Sequence, residues 1–420
     1  MIDIIPIVII SLAALGLFSV IFEEVIHINK AQSVLFFGTL SWLLLFMFST
    51  TNHEEHHKII EGLYENIAEI AGLWLFLLAA MTFVVYLNKK GLIESLIYRF
   101  LPSEVKERSL LAFIALFAFL FSSLADNITA TLISMALILS LNMPNAKSIR
   151  FAAVTVFAVN SGGVWMITGD VTTLMIFLNG KASIVDLLLL AIPSLCAVLV
   201  LTLLMGFSLK ETIQIPRKVD THEPIDVVIA CIFAMTILST IVFNIFFDIP
   251  PVLSFLFGLS LMFLFARAFG EDTQNSPILN YIRQIEFDTL LFFLGILLLV
   301  GALKEINALS SFIVVYELLP TWLANYVMGL LSAVIDNVPL TAALLKSNVV
   351  MNTDQWLSLT YAVGVGGSLL IIGSAAGIVA MSKIKGLTFI IYLKFFFALL
   401  LAYTIGFAGV MFLGKLFSLS

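Results

Sequence analysis

The sequence predicts an all-α polytopic membrane protein of about ten transmembrane helices plus two re-entrant hairpins, in two inverted-topology repeats with broken helices at mid-membrane. Three observations predict it. Of 420 residues, 61% are hydrophobic and 11% charged, where a soluble domain carries about 25% charged residues; the mean hydropathy is +1.11. Apolar runs of about 18 residues or more recur along the chain, each long enough to cross a hydrocarbon core of about 30 Å. Two stretches about 210 residues apart, Ser122–Thr131 (SSLADNITAT) and Ser332–Thr341 (SAVIDNVPLT), carry an Asp-Asn pair in apolar surroundings. A charge at bilayer depth costs roughly 2.5–3.5 kcal/mol, so an aspartate kept there needs a partner or a function.

The first repeat, 1–208, holds spans near 4–22, 31–49, 70–87, 150–178 and 184–208. The apolar stretch 109–141 is too long for one crossing and too short for two with a loop, and polar residues from Ser122 to Thr129 interrupt its centre. A hairpin of two half-helices with its polar tip at mid-membrane fits, because irregular backbone is tolerated there only where protein buries it or water reaches it. A cytoplasmic linker, 209–224, leads to the second repeat, 225–420, with spans near 225–247, 250–269, 287–306, 356–382 and 386–417 and a second hairpin at 321–345.

Lysine and arginine accumulate on the cytoplasmic side of short loops. With both termini outside, 15 of the 21 basic residues fall inside, among them Lys30, Lys89, Lys90, Lys147, Arg150 and Lys383. The hairpin puts the basic flanks 88–108 and 142–150 on one side, where an ordinary crossing would split them. Asp3 and the length of the first apolar run argue against a cleaved signal. Cys196 and Cys231, both inside apolar spans, read as small buried residues rather than as a disulfide or metal pair.

Five crossings and a hairpin per half make the two halves opposite in orientation. Val159–Gly169 (VNSGGVWMITG) also lines up with Val363–Gly373 (VGVGGSLLIIG), keeping a glycine pair and a later glycine. Gly162 and Gly163 break the 150–178 span and Gly366 and Gly367 the 356–382 span, since glycine permits a helix to unwind. Around the first break stand Asn160, Ser161, Thr168, Asp170, Thr172 and Thr173; beside the second stand Ser368 and Ser374, with Asp170 aligned to Ser374. Carboxylates, amide oxygens and hydroxyls are hard ligands suited to Na⁺ or Li⁺. No Lys or Arg is expected near these motifs, whereas a site for an organic dianion is more comfortable with a cation, although helix amino termini can also hold carboxylates.

Each residue has a plainer reading too. Asp126, Asp170 and Asp336 could cap half-helices; Thr172, Thr173 and Ser368 could bond back to their own helix; the glycines could serve close packing; Lys394 reads as a snorkelling lysine. His53-Glu54-Glu55-His56-His57 satisfies HExxH, which makes an intramembrane zinc metalloprotease the enzyme-class alternative. The segment falls in a polar loop outside the spans with no third ligand in view. It reads instead as a solvated helix start, or as a pH-responsive surface cluster of His53, His56 and His57. No enzyme activity, zinc site, resident cofactor or nucleic-acid partner is expected.

SSLADNITATL, NSGGVWMITGDVTTLMI and SAVIDNVPLTAAL resemble the corresponding segments of NhaD-type sodium/proton antiporters, in the ion transporter superfamily. The resemblance covers essentially the whole chain. It implies exchange of Na⁺ or Li⁺ for H⁺ and a role in pH homeostasis, in a bacterial inner membrane or a plastid envelope. It also implies ion handling by Asp126, Asn127, Asn160, Asp170, Thr172, Thr173, Asp336 and Asn337, with Ser368 and Ser374 as further candidates. Superfamily relatives often form homodimers. Dicarboxylate and arsenite carriers share the architecture, which makes a Na⁺-coupled organic-anion or arsenite-type permease the alternative. Dicarboxylate carriers typically show Ser-Asn-Thr at both hairpin tips, where this chain has Asp-Asn-Ile-Thr and Asp-Asn-Val-Pro. The expected mechanism is competition of proton and metal ion for one set of buried carboxylates.

Overall fold

A computed structural model describes residues 4–21, 28–49, 53–93, 95, 99, 101–141, 143–215, 223–269 and 281–417. The chain is mostly helical. Its first helices are α1 (Ile4–Ile21), α2 (Lys30–Ser49) and α3 (His53–Lys89). A strand β1 (Glu104–Lys106) leads into α4 (Glu107–Leu124), α5 (Asn127–Ser140), α6 (Asn145–Gly163), α7 (Val171–Leu178), α8 (Ile184–Leu188) and α9 (Ala191–Gly206). After β2 (Thr212–Gln214) come α10 (Pro224–Phe247), α11 (Pro251–Phe269), α12 (Phe287–Glu305), a 3₁₀ turn and α13 (Ser311–Leu318). The chain continues with α14 (Thr321–Ser332), α15 (Asn337–Lys346), α16 (Thr353–Gly366), α17 (Ala375–Lys383), α18 (Phe389–Leu393) and α19 (Phe396–Phe417). Eight helices among the described residues are long and apolar enough to cross a membrane.

Helix breaks fall where the polar motifs stand: between α4 and α5 at Asp126, between α6 and α7 before Asp170, between α14 and α15 at Asp336, and between α16 and α17 before Ser374. Each new helix starts on a side chain that accepts a backbone N–H, the arrangement that satisfies an otherwise orphaned helix terminus.

The helices sort into two packing groups. In one, α2 lies against α12, α1 and α3, while α3 also packs on α11 and α12, and α10 on α11. The approach of α2 to α12 is close: a Cβ on Gly38 would sit 3.2 Å from Leu298, and Trp42 donates its indole N–H to the Leu298 carbonyl at 2.8 Å. In the other group α4 packs on α6, α14 on α16, α9 and α16 on α19, and α17 on α5. The groups meet mainly where α12 runs against α15.

The structure corrects several expectations. Helix α3 starts at His53, so the histidine segment does open a helix, as its reading as a helix start expects, but the span expected at 70–87 is only the end of a 37-residue helix. At 1.5 Å per residue this helix is about 55 Å long and outreaches a hydrocarbon core. His56 packs its ring on Phe46 at 5.7 Å; the His53 side chain lies outside the described residues. Among the described residues, no group of three or more His, Cys, Asp or Glu is placed to hold a metal ion. The fold is not purely helical, because β1 and β2 pair antiparallel with Val105 opposite Ile213, tying the chain before α4 to the start of the expected linker. Cys196 and Cys231 are free and exposed on helix surfaces instead of buried. Lys394 caps α18 and stands outside α19, because the span expected at 386–417 is split there.

Candidate cation site

The four breaks converge on a cavity of about 460 Å³ between the two packing groups. One wall comes from the break elements, with Asp126, Asn127, Asn160, Asp170, Asp336, Asn337 and Ser374; the facing wall comes from Lys30 on α2, Met81 on α3, and Glu286, Thr289 and Phe292 at the start of α12.

Asp170 is the hub. As the N-cap of α7 its Oδ1 accepts the Thr172 N–H at 3.1 Å, while its Oδ2 accepts the side-chain amides of Asn337 at 3.1 Å and Asn127 at 3.4 Å. Ser122 orients Asn127 by donating its hydroxyl to Oδ1 at 2.7 Å, which leaves the amide N–H₂ facing Asp170. Asp170 is only 6% exposed. Other deeply buried carboxylates have a lysine: Glu107 pairs with Lys147 at 2.5 Å and Asp226 with Lys90 at 3.1 Å. Among the described residues no Lys or Arg stands within ion-pair distance of Asp170. All its partners there are neutral donors.

Asn160 donates to Ser374 Oγ at 3.1 Å, linking the two broken helices, and its own Oδ1 is buried with no hydrogen-bond partner among the described residues. The Thr172 and Ser161 hydroxyls are likewise buried without one. Leaving such polar atoms unmet costs about 1–3 kcal/mol each; of the three residues, Asn160 lines the cavity. Asp126 accepts from the Thr129 N–H at 2.8 Å and its hydroxyl at 2.7 Å; Asp336 accepts from the Val338 N–H at 3.3 Å. Capping and facing the cavity are thus compatible for both. Thr173 donates to the Val164 carbonyl at 3.2 Å across the first break, and Ser368 to the Val365 carbonyl at 2.6 Å. Thr172, Thr173 and Ser368 are not among the residues lining the cavity.

The glycines divide their work. A Cβ on Gly162 would run into the Phe119 carbonyl and one on Gly366 into the Gly329 carbonyl, so these two permit α4–α6 and α14–α16 contact. A Cβ on Gly163 would meet Asn127 Oδ1 at 2.7 Å, and one on Gly367 the Gly373 carbonyl at 2.8 Å, so these two lie against the polar tip and the returning chain.

Sequence reasoning missed the facing wall, and its reading that no Lys or Arg lies near the motifs is overturned. Lys30 Nζ stands 3.7 Å from Asp336 Oδ2, although 306 positions separate them in the chain. Glu286 was missed as well; its only signal was an acidic residue directly before an apolar span. Burial, and then the Asp126 charge, push its carboxyl up to about 7, against the pull of the Thr289 hydroxyl and Lys30, with Asp288 adding to the rise. The sign follows: as pH rises through that value Glu286 ionises, and the cavity gains a negative charge that favours a cation. Glu286→Gln removes that charge. Its KM for Na⁺ should match wild type one pH unit below that value and exceed it about two- to fivefold one unit above, a difference that Na⁺ titrations at the two pH values will detect.

The citrate transporter family (CitMHS) matches residues 1–364. The chain is 32% identical to the Na(+)/H(+) antiporter NhaD of Vibrio cholerae, over 94% of this chain and 90% of that protein. It is 30% identical to NhaD of Vibrio parahaemolyticus, over 87% of this chain and 95% of that one. It is also 30% identical to sodium/proton antiporter 1 of Arabidopsis thaliana, over 89% of this chain and 66% of that protein. The chain belongs to the CitMHS family of integral membrane transporters, together with the NhaD-type antiporters.

Proposed function

We propose that this protein exchanges Na⁺ or Li⁺ for H⁺ across a bacterial inner membrane or plastid envelope, with buried aspartates alternately holding the metal ion and the proton. The observation that carries this reading is Asp170, a buried carboxylate met by three neutral donors and, among the described residues, by no basic side chain. Such a charge is costly unless a proton or a cation neutralises it, and the two exclude one another at a single carboxylate. The likeness to antiporters named for Na⁺ and H⁺ supports the choice of ions.

The reading includes two inverted repeats, 1–208 and 225–420, joined by the linker 209–224, with re-entrant hairpins at 109–141 and 321–345. Matching backbone contacts support it: Phe119 and Gly329, which receive Gly162 and Gly366, each stand seven residues before the aspartate of their Asp-Asn pair.

The test is dissipation of a pH gradient in proteoliposomes on adding Na⁺, Li⁺ or K⁺ in turn, without organic substrate. Na⁺ and Li⁺ should dissipate it promptly, and the signal should vanish in Asp126→Asn. A second reading, a Na⁺-coupled organic-anion carrier, draws support from Lys30 in the cavity and from the family's description as citrate transporters. It requires Na⁺ uptake that appears only when an organic anion such as citrate is supplied.

A further inference from the structure

Lys30 is the first residue of α2, and α2 is locked to α12 by the glycine contact and the Trp42 bond. The base of the lysine therefore belongs to one packing group, while Asp336, at the start of α15, belongs to the other. The ammonium spans the cavity to reach it. At 3.7 Å the pair is longer than a direct hydrogen bond, and the side chains are 20% and 12% exposed. Nζ stands at the same time 4.8 Å from the centre of the Phe292 ring, on the lysine's own side of the cavity, so an aromatic face already shares the ammonium with the carboxylate.

We propose that the Lys30 ammonium is the resident counter-ion of Asp336 in the cation-free carrier, and that Na⁺ loading displaces it from the carboxylate, leaving it on the Phe292 side. The proposal rests on the cation-exchange reading above and adds a competitor built into the chain. An ammonium and Na⁺ at one carboxylate repel each other, so the apparent affinity for Na⁺ carries the cost of breaking the pair. The same pair keeps Asp336 neutralised in the carrier that holds no Na⁺, and it ties the two packing groups together only in that state.

Removing a competitor strengthens binding, an outcome that a merely structural role for Lys30 does not give. Lys30→Gln should lower the KM for Na⁺ in the pH-gradient assay about two- to fivefold, the range expected of a partly exposed ion pair. Lys30→Arg, which keeps the charge, should move KM less than Lys30→Gln does. An unchanged or raised KM in Lys30→Gln, beside a normal wild-type response, overturns the proposal and leaves the exchange reading standing; a wild type that ignores Na⁺ brings down both. The intact protein gives a measurement that holds even where Lys30→Gln does not fold: acylation of Lys30 by an amine-reactive reagent, followed by mass spectrometry. Na⁺ should speed that labelling relative to choline at equal ionic strength, and an equal or slower rate rules displacement out.

Discussion

Asp170→Asn should abolish Na⁺-driven dissipation of the pH gradient while the protein still inserts and purifies like wild type. The replacement keeps shape and capping ability, since asparagine serves at a helix N-cap about as well as aspartate. Its carboxamide oxygen can still accept the Thr172 N–H, or an amide from Asn127 or Asn337. What disappears is the charge at a site where every other contact is neutral, and with it the means to hold either a cation or an exchangeable proton. Losing a buried charged ligand costs about 3 kcal/mol, roughly a hundredfold in affinity. Initial rates in proteoliposomes, beside circular dichroism and gel filtration of the same preparation, will read the outcome. Exchange at the wild-type rate would reduce Asp170 to a helix cap.

Gly162→Ala and Gly366→Ala should each destabilise the protein, by about 1–3 kcal/mol or more. Both glycines sit where a helix crosses the backbone of its neighbour, and a Cβ would enter the space of the Phe119 or the Gly329 carbonyl. These carbonyls belong to helix backbone and cannot swing aside as a flexible side chain does. The helices would have to separate, and because Phe119 and Gly329 lie on α4 and α14, the displacement would carry through to the tips that hold Asn127 and Asn337. Gly72 is the control, since nothing lies within 4 Å of a Cβ there. Thermal unfolding in detergent should show both helix-crossing variants melting lower than wild type and Gly72→Ala unchanged or slightly higher, as expected when alanine replaces glycine inside a helix.

Much of this was legible in the sequence because it is written locally. The Asp-Asn pairs at 126 and 336 and the glycine pairs at 162 and 366 mark helix breaks by residue type, and all four breaks stand where those residues are. Hydrophobic run length located most helices for the same reason. Other features depend on distance in the chain. Lys30 reads as an ordinary basic residue at the edge of a span, and only the packing of α2 on α12 opposite α15 brings it to Asp336. Glu286 is the same case. The β1–β2 pairing also escaped notice, since three-residue strands on either side of α4–α9 carry no periodicity of their own. Helix α3 was read too short because its first turns are polar, and polarity marks exposure without excluding helix.

The hub at Asp170 is assembled from residues 127, 172 and 337, and this sets a timetable for biogenesis. When Asp170 leaves the ribosome, Asn127 has been made and Thr172 follows at once, but Asn337 is 167 residues away. At about 5–20 residues per second the wait is roughly 8–33 s. For that interval the nascent first half holds this buried carboxylate one donor short and without the wall that α12 and α15 later supply. Truncated chains ending before α15 should therefore be prime substrates for membrane quality control, and chains that include it should escape.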